Sequence, residues 1–108
     1  RIYVLKDGDT TQAVTCVKFL NTIPAAVEDL VDSVESATTA VFYTIWSYVA
    51  GAGRDLIVEA QRSIEAELPN IQTFVTLSPK TEMARRFHLK NGAGIYRENP
   101  DTINYIYK

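Results

Sequence analysis

Apolar and polar positions alternate near both ends of the chain and recur at helical spacing in between, so changes of period mark the elements. Residues 1–6 read as a strand closed by the turn Asp7-Gly8-Asp9, and residues 13–20 as its hairpin partner. Pro24 suits the first turn of a short helix to about Ser33, with Val27, Leu30 and Val31 as its apolar stripe. A polar turn, Glu35-Ser36, leads into residues 38–49, whose β-branched and aromatic run predicts a central strand. Beyond Ala50-Gly51-Ala52-Gly53, residues Leu56, Ile57, Ala60, Ile64 and Leu68 fall on one helical face, with Arg54, Asp55, Glu59, Arg62 and Glu65 largely opposite. That helix should end at Pro69-Asn70. Residues 71–77 then form a strand, Ser78-Pro79 caps a helix to about Lys90, and Asn91-Gly92 provides its left-handed stop. Strands at 94–98 and 102–107, joined by Asn99-Pro100-Asp101, close the chain. The order predicts an α+β, mixed α/β fold: a twisted mixed sheet with helices on its faces.

Composition narrows the function. With 108 residues, 46% hydrophobic and 22% charged, the chain fits one domain spanning residues 1–108. A formal charge of -2 and a pI near 5.3 give no general attraction to a polyanion, so nucleic acid is not an expected partner. Lys80, Arg85, Arg86 and Lys90 form the one candidate basic patch, suited to a small phosphorylated ligand; a solvated helix face is the simpler account. Cys16 is the only cysteine and sits in an apolar run, which suggests an ordinary buried thiol, no disulfide and a reducing compartment. No apolar stretch reaches the roughly 18 residues that span a bilayer, and the N-terminal residues resemble a strand more than a signal peptide. A cytoplasmic location without membrane contact is the expectation, with a homo-oligomer left open. A start on a strand without initiator methionine fits an excised domain or one lacking disordered ends.

Two features carry candidate chemistry. His88, the single histidine, lies on the helix that stops at Asn91-Gly92, and its imidazole can exchange a proton near neutral pH. The bland alternative is a partly buried histidine beside an apolar residue. Gly51-Ala52-Gly53, between a strand and a helix beginning near Arg54, exposes backbone N–H groups at the positive end of a helix dipole and can hold a pyrophosphate. Glycines at such a turn also serve conformational freedom alone. No Gly-Lys-Ser/Thr follows, and the three-glycine dinucleotide fingerprint is missing.

Residues 38–93, with a central strand, a Gly-x-Gly turn and helix, then strand and helix, resemble the acetyl-CoA-dependent N-acetyltransferase (GNAT) fold. Tyr48 stands where that family usually has Arg or Gln three residues before the first glycine, and His88, after Phe87, stands where it often has a tyrosine general acid. A more specific resemblance is to the catalytic C-terminal domain of malonyl-CoA decarboxylase, itself GNAT-like. It rests on Arg1-Ile2-Tyr3; on residues 38–45, 53–69 and 74–79; on Phe87-His88-Leu89-Lys90-Asn91-Gly92-Ala93; and on Asn104-Tyr105-Ile106-Tyr107. The family's N-terminal helical domain and its helical insert between the Ser-Pro and His motifs are absent from this sequence, and the glycine loop is shorter.

The resemblance implies decarboxylation of malonyl-CoA to acetyl-CoA and carbon dioxide, with His88 as proton donor and Ser78 orienting the carboxylate or binding the enolate oxygen. It implies a coenzyme A thioester, malonyl-CoA or acetyl-CoA, as substrate, and no metal. Pantetheine would lie along residues 42–47, with Tyr43, Ile45 and Ser47 as contacts, and the pyrophosphate on Gly51, Ala52, Gly53 and Arg54. Arg54, Lys80, Arg85 and Lys90 would be candidates for the CoA phosphates. Acyl transfer to an amine, with His88 protonating the leaving thiolate, and a non-catalytic acyl-CoA-binding module are the alternatives. A helix starting at Pro79 would put His88 about 13 Å along its axis at about 1.5 Å per residue, so no direct Ser78–His88 hydrogen bond is expected.

Overall fold

Seven strands pair into one sheet in the computed structural model, which describes residues 1–107. They are β1 (Ile2–Asp7), β2 (Thr10–Leu20), β3 (Thr39–Ser47), β4 (Thr73–Thr76), β5 (Ser78–Pro79), β6 (Gly94–Glu98) and β7 (Thr102–Tyr107). Helix α1 (Ala52–Glu67) follows β3, and α2 (Glu82–Lys90) follows β5. The pairing order is β1-β2-β3-β4-β7-β5, with β6 on β7. Among the described residues only β3 and β4 pair in parallel, as expected for strands joined through a crossover helix. The order of the longer strands and of α1 and α2 is the one the sequence predicts; β5 is an addition, formed by the Ser-Pro expected to cap a helix.

Each sheet face builds its own core. Val17, Phe19, Ala40, Phe42, Phe74 and Tyr105 pack on one face with Ile57, Ala60 and Ile64 of α1. Leu20, Val41, Val75 and Leu77 pack on the other, where Ile23 and Leu30 of the β2–β3 connection cover them. That connection is not the predicted helix: it holds one 3-10 turn, Val27–Asp29, and Val27 and Val31 are exposed. Its attachment comes from polar groups instead. Buried Asn104 on β7 donates to the Pro24 carbonyl at 2.9 Å, and Thr102 Oγ1 donates to the Ala25 carbonyl at 2.6 Å. Cys16 is half-buried, more open than its apolar run predicts, because it lies on the sheet face beyond this cover.

Two irregularities open the sheet. Cys16 pairs with Thr44 while Val17 pairs with Phe42, so Tyr43 is an extra residue on β3. A bulge of this kind breaks the period of two and increases strand twist; accordingly Phe42 and Ile45, three residues apart, pack in the same cluster. The second irregularity is at Leu77, between β4 and β5. β3 and β4 pair only from Thr39↔Thr73 to Phe42↔Thr76, and the Leu77 N–H donates to the Phe42 carbonyl at 2.9 Å. Beyond that point β3 continues to Ser47, while Ser78 and Pro79 stay with β7.

Asn104 and Thr76 satisfy the break at Leu77. Asn104 Nδ2 donates to the Thr76 carbonyl at 2.8 Å, and Thr76 Oγ1 accepts the Tyr105 N–H at 3.1 Å. Side chains thus replace ladder bonds that a straight strand would make, sparing the Thr76 carbonyl and the Tyr105 N–H the cost of burial without a partner. Among the described residues, no helix is long and apolar enough to cross a membrane.

Candidate active site

A cleft of about 540 Å³ occupies the space between the diverging strands and α2. Residues 42–47 of β3 form one wall; Leu77, Ser78 and Pro79 form part of the opposite one, and Phe87 and His88 contribute from α2. Ser78 and His88 are its buried polar members, whereas Trp46 and Met83 are exposed. None of the described lining residues carries a formal charge at neutral pH. The β3 edge at 43–47 that faces this space has no strand partner among the described residues, so it leaves backbone groups available to an extended, amide-bearing ligand.

Ser78 and His88 meet directly, contrary to the expectation from helix length: Ser78 Oγ lies 3.2 Å from His88 Nε2. The reason is local. Pro79 belongs to β5, paired with Thr102, rather than to the helix, and the helix starts only after Thr81, whose Oγ1 accepts the Ala84 N–H at 3.1 Å. The chain reverses between Pro79 and Glu82, and α2 returns His88 to the serine it had left. Gly92, at φ +92°, ends α2, and the Ala93 N–H donates to the His88 carbonyl at 3.0 Å.

The pair belongs to a longer chain of hydrogen bonds. Ser78 Oγ donates to Thr76 Oγ1 at 2.7 Å, and His88 Nδ1 lies 2.6 Å from the Tyr107 hydroxyl. Tyr105 stacks on the imidazole at 4.7 Å between centroids, and Phe87 meets it edge-on at 5.1 Å. Burial among these rings pushes the imidazole from its ordinary 6.5 down to about 4, so His88 is neutral at pH 7. Burial also holds the Tyr107 phenol well above its usual range, keeping it an O–H. Thr76 and Tyr107 had no assigned role from the sequence. The available signal was the alternation of Ile103, Tyr105 and Tyr107, which aims both tyrosines at the face shared with the helices.

At the glycine turn, Gly51 has φ +82° and precedes α1. The Gly53 N–H donates to Ser47 Oγ at 3.2 Å, and the Ala52 N–H donates to the Val49 carbonyl at 3.1 Å, leaving the N–H groups of Gly51 and Arg54 for a ligand. Gly53 has a packing role as well: a Cβ there would lie 2.9 Å from the Phe87 ring and 3.3 Å from Ser47 Cβ. Tyr43, Ile45 and Ser47 all line the cleft, though the bulge turns Tyr43 to the opposite core from Ile45. In the basic patch, Arg86 pairs with Glu82 at 3.2 Å, while Lys80, Arg85 and Lys90 are exposed. Among the described residues, no cluster of three metal-ligating side chains occurs.

No protein-family model matches the chain, and no curated protein matches it by sequence. Solved structures do match by shape. Malonyl-CoA decarboxylase from Rhodopseudomonas palustris superposes with a TM-score of 0.70 at 23% identity, covering 90% of this chain and 43% of its own. Malonyl-CoA decarboxylase from Agrobacterium vitis gives a TM-score of 0.59 at 32% identity over 71% of this chain and 22% of its own. Arabidopsis thaliana NAA60, solved in complex with acetyl-CoA, gives 0.65 at 15% identity, covering 95% of this chain and 70% of its own. The chain thus spans less than half the length of either decarboxylase structure, and its fold is GNAT-like.

Proposed function

We propose that this chain, GNAT-like in fold, binds an acyl-CoA thioester in the cleft and decarboxylates malonyl-CoA to acetyl-CoA and carbon dioxide. The single observation that carries the reading is the buried Ser78–His88 contact at 3.2 Å on the cleft wall. Pantetheine has two amides that can pair along the open β3 edge at 43–47, and Gly51, Arg54 and the exposed basic residues of α2 can meet the phosphates. Both decarboxylases and NAA60 share the fold that supplies such an edge.

Breaking the bond between the malonyl carboxylate and its α-carbon leaves the electron pair on the thioester as an enolate. A carboxylate held in an uncharged cleft loses hydration without gaining a cation, whereas the developing enolate spreads its charge and accepts one hydrogen bond from the Ser78 hydroxyl once that O–H turns from Thr76 Oγ1. His88, through Nε2, then delivers a proton to the α-carbon. Acyl transfer to an amine draws less support, because no carboxylate lines the cleft to deprotonate the acceptor. The test is to incubate the protein with malonyl-CoA, with and without amines, and to follow products by mass spectrometry. Acetyl-CoA formed without amine supports decarboxylation, acylated amine supports transfer, and unchanged thioester with measurable binding supports a non-catalytic module. In the first case His88→Ala should lower turnover by roughly 10²- to 10⁴-fold.

A further inference from the structure

Thr76, the last residue of β4, is fully buried and does not line the cleft; its hydroxyl meets the site only through Ser78. Thr76 Oγ1 accepts the Ser78 O–H at 2.7 Å and the Tyr105 N–H at 3.1 Å, which occupies both of its lone pairs. The Thr76 O–H itself then has no acceptor among the described residues. A buried donor without a partner is costly, so an arrangement that uses it is favoured. One lies within reach: at 2.7 Å the same two oxygens can exchange roles, Thr76 donating and Ser78 accepting, which releases the Ser78 O–H to another acceptor. From this geometry we infer that Thr76 is a positioning residue for decarboxylation, its hydroxyl turning onto Ser78 Oγ as the Ser78 O–H turns to the thioester oxygen. The inference rests on the decarboxylase reading above.

No covalent bond changes in this step. Both oxygens stay in place, Thr76 Oγ1 held by the Tyr105 N–H and Ser78 by the pairing of β5 with Ile103, and only two hydroxyl hydrogens rotate. With Nε2 of His88 carrying its proton, Ser78 Oγ accepts from the imidazole on one side and from Thr76 on the other, and donates to the substrate. That uses its full hydrogen-bonding capacity. A hydroxyl that accepts is the better donor, because successive hydrogen bonds polarise one another. An enolate oxygen gains more from such a donor than a neutral thioester oxygen does, so the help falls on the transition state. A hydroxyl that only accepted from Ser78 would have the opposite sign: it would compete with the substrate, and its removal would speed the reaction.

The experiment measures kcat and KM for malonyl-CoA in Thr76→Val and Thr76→Ser, each alone and combined with Ser78→Ala, at a temperature where circular dichroism shows every variant folded. Thr76→Val keeps the branched shape without the hydroxyl, and kcat should fall on the order of tenfold with KM within about twofold of native. Thr76→Ser restores the hydroxyl and should bring kcat back to within about threefold of native. Beside Ser78→Ala, Thr76→Val should slow turnover no further, since Thr76 acts only through Ser78. Where that background is too slow to read, the recovery in Thr76→Ser decides. Should Thr76→Val not fold, Thr76→Cys takes its place: its thiol is a weak donor and should slow kcat several-fold with native Ser78 but not beside Ser78→Ala. An unchanged or raised kcat without the hydroxyl, no recovery in Thr76→Ser, or an equal loss with and without Ser78 would overturn the inference and leave the decarboxylase reading standing. A native protein that releases no carbon dioxide would overturn both.

Discussion

His88 combines two properties that a sequence presents as alternatives: it is a core side chain, only 3% exposed, and it is hydrogen-bonded through both ring nitrogens. Its removal as alanine therefore costs stability whatever its chemical role, and His88→Gln, which keeps a polar head in the space, is the better structural control. The groups packed around it are Ser78, Tyr107, Tyr105 and Phe87, none of them charged at neutral pH. A folded-state value of about 4 against 6.5 in the unfolded chain means that the unfolded state binds the extra proton first. Stability from this group is complete above pH 6.5 and should fall by about 3 kcal/mol as pH drops from 6.5 to 4; melting curves of His88→Gln should lack that segment of the pH dependence. Tyr105 is a milder case. Its hydroxyl is buried and finds no partner among the described residues, so Tyr105→Phe should keep the stack on His88 and raise stability by about 1 kcal/mol, read as a higher Tm. The histidine itself was legible as the only one in the chain. Ser78 was legible through the resemblance, but its direct contact with His88 was not, because the Ser-Pro dipeptide suits a helix start as well as a strand end, and only pairing of Pro79 with Thr102 decides between them.

At the scale of elements, the sequence legibly yields the order of the longer strands and of α1 and α2, since their periods differ and Gly and Pro punctuate them. It hides the two irregularities that make the site. Val41, Phe42, Tyr43, Ile45 and Trp46 are apolar or aromatic on both sides of the strand, so no alternation exists for the bulge at Tyr43 to interrupt. The break at Leu77 depends on Asn104, whose buried amide is distant in sequence. The first helical turn of α1 shows the same limit: a glycine placed for a ligand and a glycine placed for packing look alike. Here Gly53 is confined by Phe87 and Ser47, so Gly53→Val should not leave the fold untouched. We expect it to destabilise the protein by roughly 1–3 kcal/mol by pushing the Phe87 ring from its seat beside His88, measurable by denaturant titration. Arg54→Glu, at an exposed position in the same turn, should instead weaken CoA in calorimetry with an unchanged melting temperature.

For the whole molecule, the cleft owes its existence to a sheet that pairs fully at one end and separates at the other. The sequence hides its uncharged lining, because Lys80, Glu82, Arg85 and Arg86 lie beside lining residues without lining the cleft themselves. Trp46 is the only tryptophan, lines the cleft and is 61% exposed. Adding CoA should change its emission, and a protein that binds CoA by calorimetry with an unaltered Trp46 spectrum would place the ligand outside the cleft.

β7 has a further consequence for how such a protein comes into being. A ribosome releases Ser78 and His88 before the strand that aligns them, and Thr76, Asn104, Tyr105 and Tyr107 act together only once β7 has slotted between β4 and β6. Until then β4 has an open edge, the kind of template on which nascent chains aggregate. One late event therefore both protects that edge and assembles the hydrogen-bonded groups around Ser78 and His88. A ribosome-stalled chain that stops short of β7 should be sticky and inert at once, with no partly competent species in between.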